Sequence, residues 1–113
     1  MDSILVSIKK LLGNTEEYKY FDPDIIMHIN SAFSILKQLG VGPKEGFMIT
    51  GESETWQDFL GEEHMKDLNE VQIYVYLRVK LGFDSSSLTG SVLDSINKQI
   101  NELEWRMNVT VDN

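Results

Sequence analysis

Apolar residues near the start of the chain recur every three or four positions, at Ile4, Leu5, Ile8, Leu11 and Leu12, and the run stops at Gly13. This spacing predicts a short amphipathic helix, capped by Asp2 or Ser3 and ended by the glycine. The start of a second helix is spelled out more fully: Asp22 as N-cap, Pro23 at the first helical position and Asp24 in the first turn. Phe21, just ahead of the cap, can pack on Ile26 as a hydrophobic staple. Ile25, Ile29, Ala32, Phe33 and Leu36 then mark one buried face, and Leu39-Gly40 ends the run.

From Val41 to Gly61 no helical period survives, because Gly42, Pro43, Gly46, Gly51 and Gly61 interrupt it. Phe47, Met48, Ile49 and Thr50 can form a short extended segment. Ser53 can cap a single turn holding Trp56, Phe59 and Leu60. A loop of this length with its own apolar residues is either packed as a compact flap or used against a partner.

Residues 71–81 read two ways. Val71, Ile73, Val75, Leu77, Val79 and Leu81 alternate with Gln72, Tyr74, Tyr76, Arg78 and Lys80, which is a strand signature. Residues 62–81 also run without Gly or Pro, and Met65, Leu68, Val71, Val75 and Val79 fall on one helical stripe. The helix-favouring Glu62 to Asn69 leading into the stretch decides for a long, mostly buried helix. After a polar turn at Asp84 and Ser85 to Ser87, with the serines placed to cap the last helix, Leu93, Ile96, Ile100, Leu103 and Met107 form the seam of that helix. Trp105 lies off that seam. The expected fold is mainly α: a small bundle of about four helices with a central flap, forming one domain over residues 1–113.

Composition narrows the function. The chain of 113 residues is 42% apolar with 2 prolines, as ordinary globular proteins are. It has no cysteine, which excludes disulfides and thiolate chemistry and removes the usual ligands of structural zinc. No run approaches the roughly 18 apolar residues of a membrane span. Lys9 and Lys10 interrupt the N-terminal apolar stretch and make it a poor signal peptide, so the chain is expected to be made and kept inside the cell.

The net charge is −8, which disfavours a general nucleic-acid binder. Six of those net charges lie in residues 47–70, where Glu52, Glu54, Asp58, Glu62, Glu63, Asp67 and Glu70 face only Lys66. Carboxylates at the start of a helix and on a solvated loop explain part of this block. Glu52, Glu54, Asp58, Glu62 and Glu63 are candidates for a surface that repels passing DNA, or that mimics it.

No catalytic or cofactor pattern emerges. His28 and His64 lie in different elements and lack the His-Glu-x-x-His spacing, so no metal site is expected. Asp22 and Asp24 are better explained as capping residues than as an acid/base pair. Gly40-Val41-Gly42-Pro43-Lys44 lacks the spacing of a phosphate loop, and Ser85 to Ser87 lack the elbow of a serine nucleophile. Asn108-Val109-Thr110 matches a glycosylation signal only in form. The aromatic residues point to contacts instead. Phe47, Met48, Ile49, Trp56 and Phe59 in the flap, with Trp105 and Met107 in the last helix, are candidate interface residues, since large aromatic side chains anchor interfaces.

Several strings give the chain a family likeness: Ile8-Lys9-Lys10-Leu11-Leu12-Gly13, Phe21-Asp22-Pro23-Asp24-Ile25-Ile26-Met27-His28-Ile29-Asn30 and Gln38-Leu39-Gly40-Val41-Gly42-Pro43. Thr55-Trp56-Gln57-Asp58-Phe59-Leu60, Val75 to Leu81 before Phe83-Asp84, and Glu102-Leu103-Glu104-Trp105-Arg106-Met107-Asn108-Val109 continue it. In their order and coverage they resemble the head–tail connector, or adaptor, proteins of tailed bacteriophages. The resemblance implies a helical bundle, a structural role in the virion without catalysis or cofactor, and copies that form a ring beneath the portal. It further implies contacts with the portal protein and a tail-completion or stopper protein, and a central channel for the genome. Such a protein is made in the bacterial cytoplasm, binds no specific nucleic acid and touches no membrane. The rival expectation is an acidic helical binding module that mimics DNA or blocks a basic protein surface.

Overall fold

The computed structural model describes residues 2–15, 17–84 and 88–112, the last four of these by their backbone alone. Among them are five α-helices and one 3-10 segment, with no strand: α1 (Ile4–Leu11), α2 (Asp22–Gln38), α3 (Trp56–Leu60), the 3-10 segment Glu62–Asp67, α4 (Leu68–Asp84) and α5 (Gly90–Asp112). The expected helices are present, and the flap contributes the short α3.

Local chemistry explains most boundaries. Ser3 caps α1 by accepting the Val6 N–H at 3.3 Å, and the chain turns out of the helix through Gly13 at φ 88°, where a side chain would be strained. At α2 the expectation shifts by one position. Phe21 occupies the N-cap without a side-chain bond and Asp22 is the first helical residue, because the Asp22 carboxylate is taken by Lys9 of α1 at 2.9 Å. Thr55, not Ser53, caps α3. Its hydroxyl accepts the Asp58 N–H at 3.1 Å while the Asp58 carboxylate accepts the Thr55 N–H at 2.9 Å, a reciprocal box that Ser53 has no partner to make. Thr89 opens α5, its carbonyl accepting the Leu93 N–H at 2.9 Å; the serines expected there, Ser85 to Ser87, lie outside the described residues.

The ambiguity over residues 71–81 resolves to helix, and burial shows why. Val71, Tyr74, Val75 and Val79 face the core, whereas Ile73 is exposed. A strand would have placed Ile73 with the valines and turned Tyr74 away. Residues 62–67, expected to continue the same helix, take the tighter 3-10 form directly after Gly61 and only then pass into α4.

The most extensive packing is α2 against α4; α1 rests on both, and α5 lies on α4. The two central helices run antiparallel, since Phe21 ahead of α2 meets the Phe83 ring near the end of α4 at 5.3 Å. Nearby, a Cβ at Gly82 would come within 2.6 Å of the His28 ring, so the glycine permits this close crossing. Ile96, Ile100, Leu103 and Met107 form the buried stripe of α5. Tyr74 adds a polar tie, its hydroxyl donating to Glu104 of α5 at 2.7 Å. Burial, and then this bond to a carboxylate, push the phenol well above its ordinary range.

Candidate functional site

The central flap is held down by polar groups far from it in sequence. The Asn30 side chain of α2 accepts the Ile49 N–H at 2.7 Å and donates to the Ile49 carbonyl at 3.0 Å, meeting both backbone needs of a residue that has no strand partner. At its far end the flap joins α1: Ile4 N–H donates to the Glu54 carbonyl at 3.0 Å and Trp56 N–H to the Asp2 carbonyl at 3.3 Å. Between these anchors Glu54 bends back to accept from the Thr50 backbone N–H at 3.0 Å and the Thr50 hydroxyl at 2.9 Å. Burial works to raise the Glu54 carboxyl, but the hydrogen bonds from Thr50 and Gly51 outweigh it and hold the group below the usual carboxylate range. With a depressed folded-state pKa, its contribution to stability is present at neutral pH and is lost as the pH falls through that value.

This fastening decides where the candidate contact residues go. Ile49, Trp56 and Phe59 are buried in the core, and so is Met107 on the inner stripe of α5. Phe47 is half-buried against the rings of Phe33 and Phe59. Met48 and Trp105 remain outside, 69% and 67% exposed. Four of the seven candidates are thus taken up by the chain's own core: the flap folds down on Phe33, and α5 turns Met107 toward α4. Sequence reasoning missed other exposed apolar side chains, namely Leu11, Tyr18, Tyr20, Met27, Ile73 and Val92. No periodicity marks those after Leu11 as exposed, because apolar side chains outside a regular stripe carry no signal of which way they face.

The acidic candidates also divide. Glu54 and Asp58 make the backbone bonds described above, and Glu52 pairs with Lys19. Glu62 and Glu63 stand exposed at the start of the 3-10 segment. Among the described residues no group of three or more His, Asp or Glu side chains is placed to hold a metal ion, and no helix is long and apolar enough to cross a membrane.

Below the flap lies a groove of about 560 Å³ that no sequence motif announced. Val41, Pro43, Phe59, Leu60, Val71 and Met107 give it apolar lining, and Asp58, Asp67 and Glu70 make its polar rim acidic. His64 also lines it, 3.9 Å from Asp67, while Arg106 approaches Glu70 at 3.8 Å. One wall is Gly42 at φ 90°, where a Cβ would come within 2.5 Å of the Phe59 ring. That ring is wedged on Phe33 at 4.4 Å and cannot retreat freely. Gly42→Ala should therefore combine backbone strain with a clash and lower stability by about 2 kcal/mol, read as a shift of the urea midpoint.

The groove thus joins an apolar floor to an acidic rim. No curated protein and no solved structure matches the chain. The family model described as phage connector protein matches residues 4–113, from the first residue of α1 onward. The chain therefore belongs to the phage connector protein family.

Proposed function

We propose that this protein is a structural component of the head–tail junction, a single-domain unit whose copies form a ring beneath the portal and join the DNA-filled capsid to the tail. The family match over residues 4–113 carries the reading. Its partners are other copies of itself, the portal protein and a tail-completion or stopper protein, and it works by assembly rather than catalysis. A ring repeats each subunit's charge, so an acidic chain lining a channel presents little adhesive surface to DNA moving through it. Exposed Glu62 and Glu63 are the side chains for that task; Met48 and Trp105 are available for contacts with neighbours.

Native mass spectrometry of the purified protein, alone and with the portal protein of the same phage, tests the reading. A defined multiple of the 13.0 kDa chain bound to the portal is expected. A salt-sensitive one-to-one complex with a basic protein, and no multiple under any condition, would replace it with the acidic binding module.

A further inference from the structure

Two surface features lie at opposite ends of the antiparallel α2–α4 pair. At one end is the acidic-rimmed groove, built by Gly40 to Pro43 just past α2 and by Asp67, Glu70 and Val71 where α4 begins. At the other is the turn leading into α2, where Tyr18 and Tyr20 flank Lys19. Tyr20 is 76% exposed, and half of Tyr18 is open to solvent. Both rings are seated rather than loose: each packs on Phe21, at 5.9 and 4.9 Å, and Phe21 rests on Phe83. The 17 residues of α2 hold the two ends about 25 Å apart.

We propose that these are the two halves of one head-to-tail contact, in which the Tyr18-Lys19-Tyr20 knuckle of one copy seats in the groove of the next. The tyrosine rings meet the apolar lining around Phe59, Leu60 and Val71. Lys19, which holds Glu52 of its own chain, turns its charge toward the Asp58, Asp67 and Glu70 rim. The inference deepens the ring reading and rests on it, since it names the surfaces by which copies would meet. A second copy is the occupant for two reasons. The two rings of the knuckle match the apolar lining of the groove and its lysine matches the acidic rim, and a contact between unlike patches of one molecule propagates from copy to copy, closing into a ring where the rotation between copies allows. Tyrosine, with a large ring and few rotatable bonds, suits such a seat.

The chain has no cysteine, so an engineered pair reports this contact alone. Tyr20→Cys combined with Asp67→Cys should give a ladder of covalent multimers on a non-reducing gel when oxidised in the presence of the portal protein. Either single variant should give dimers at most. The two positions of one molecule are too far apart to bridge internally, since a disulfide needs Cα atoms within about 7 Å. Tyr18→Cys with Glu70→Cys repeats the test should the first pair disturb the fold, which circular dichroism would show. Double variants that stop at the dimer level of the singles overturn the contact. If the wild-type chain nonetheless forms its multiple on the portal, the connector reading stands without this contact; if it forms none, both fall.

Discussion

Phe33→Ala should be the most damaging single truncation in the core, lowering stability by about 3–5 kcal/mol, as large-to-small changes at buried aromatic sites do. Phe33 is 1% exposed and is the ring on which the flap closes. Phe59 lies 4.4 Å from it, Phe47 5.4 Å and Trp56 6.3 Å, the last two nearly edge-on. Removing the central ring leaves a void and also takes away the partner of three others, each such pair adding about 0.5–1.5 kcal/mol beyond area burial. Urea denaturation followed by tryptophan fluorescence reads the loss, with Trp56 reporting from inside the cluster and Trp105 from the surface. Phe33→Leu, which keeps much of the apolar volume, should fall between wild type and Phe33→Ala. If Phe33→Ala unfolds at the wild-type midpoint, the flap is not held by this cluster.

How much of this was legible in the sequence depends on how each feature is encoded. The helices were, because apolar residues three and four apart can be read without knowing what they pack on: Ile25, Ile29, Ala32, Phe33 and Leu36 are the buried residues of α2. The 71–81 stretch was readable only through its context, since alternation and helical stripe share Val71, Val75 and Val79; Tyr74, buried, and Ile73, exposed, decide between them. The flap was harder. Trp56 and Phe59 sit among glycines and carboxylates, which suggests exposure, yet the Asn30 side chain 19 residues before Ile49 fixes the loop so that they turn inward. One polar residue on the margin of an apolar helix face gives no period to detect. The groove is less legible again, because its walls come from the end of α2, the flap, α4 and α5, brought together only by the fold. The family strings identified the chain by their order, but they did not show which side chains face outward.

Asp22→Ala should cost about 3–5 kcal/mol, out of proportion to a residue at the first turn of a helix, because it strands a buried charge. Lys9 is 1% exposed inside the apolar stripe of α1, with its ammonium 2.9 Å from the Asp22 carboxylate and 2.8 Å from the Tyr18 carbonyl. In the sequence Asp22 looks like an N-cap, worth typically about 1 kcal/mol when replaced by Ala. The two roles therefore predict losses several-fold apart, which thermal or urea unfolding separates. Lys9→Met supplies the discriminating arm. It removes the charge but keeps the stem, and it leaves Asp22, 14% exposed, nearer to water, so it should be milder than Asp22→Ala. With Lys9→Met already present, Asp22→Ala should cost little more, since no ammonium remains to be stranded. Equal and additive losses from the two changes would mean that the pair contributes no coupling and that α1 is held to α2 by its apolar stripe alone. A strong coupling would instead identify Lys9 as the residue that sets the register of α1 against α2. It would also tie the Tyr18 knuckle to the core, because the same ammonium holds the Tyr18 carbonyl.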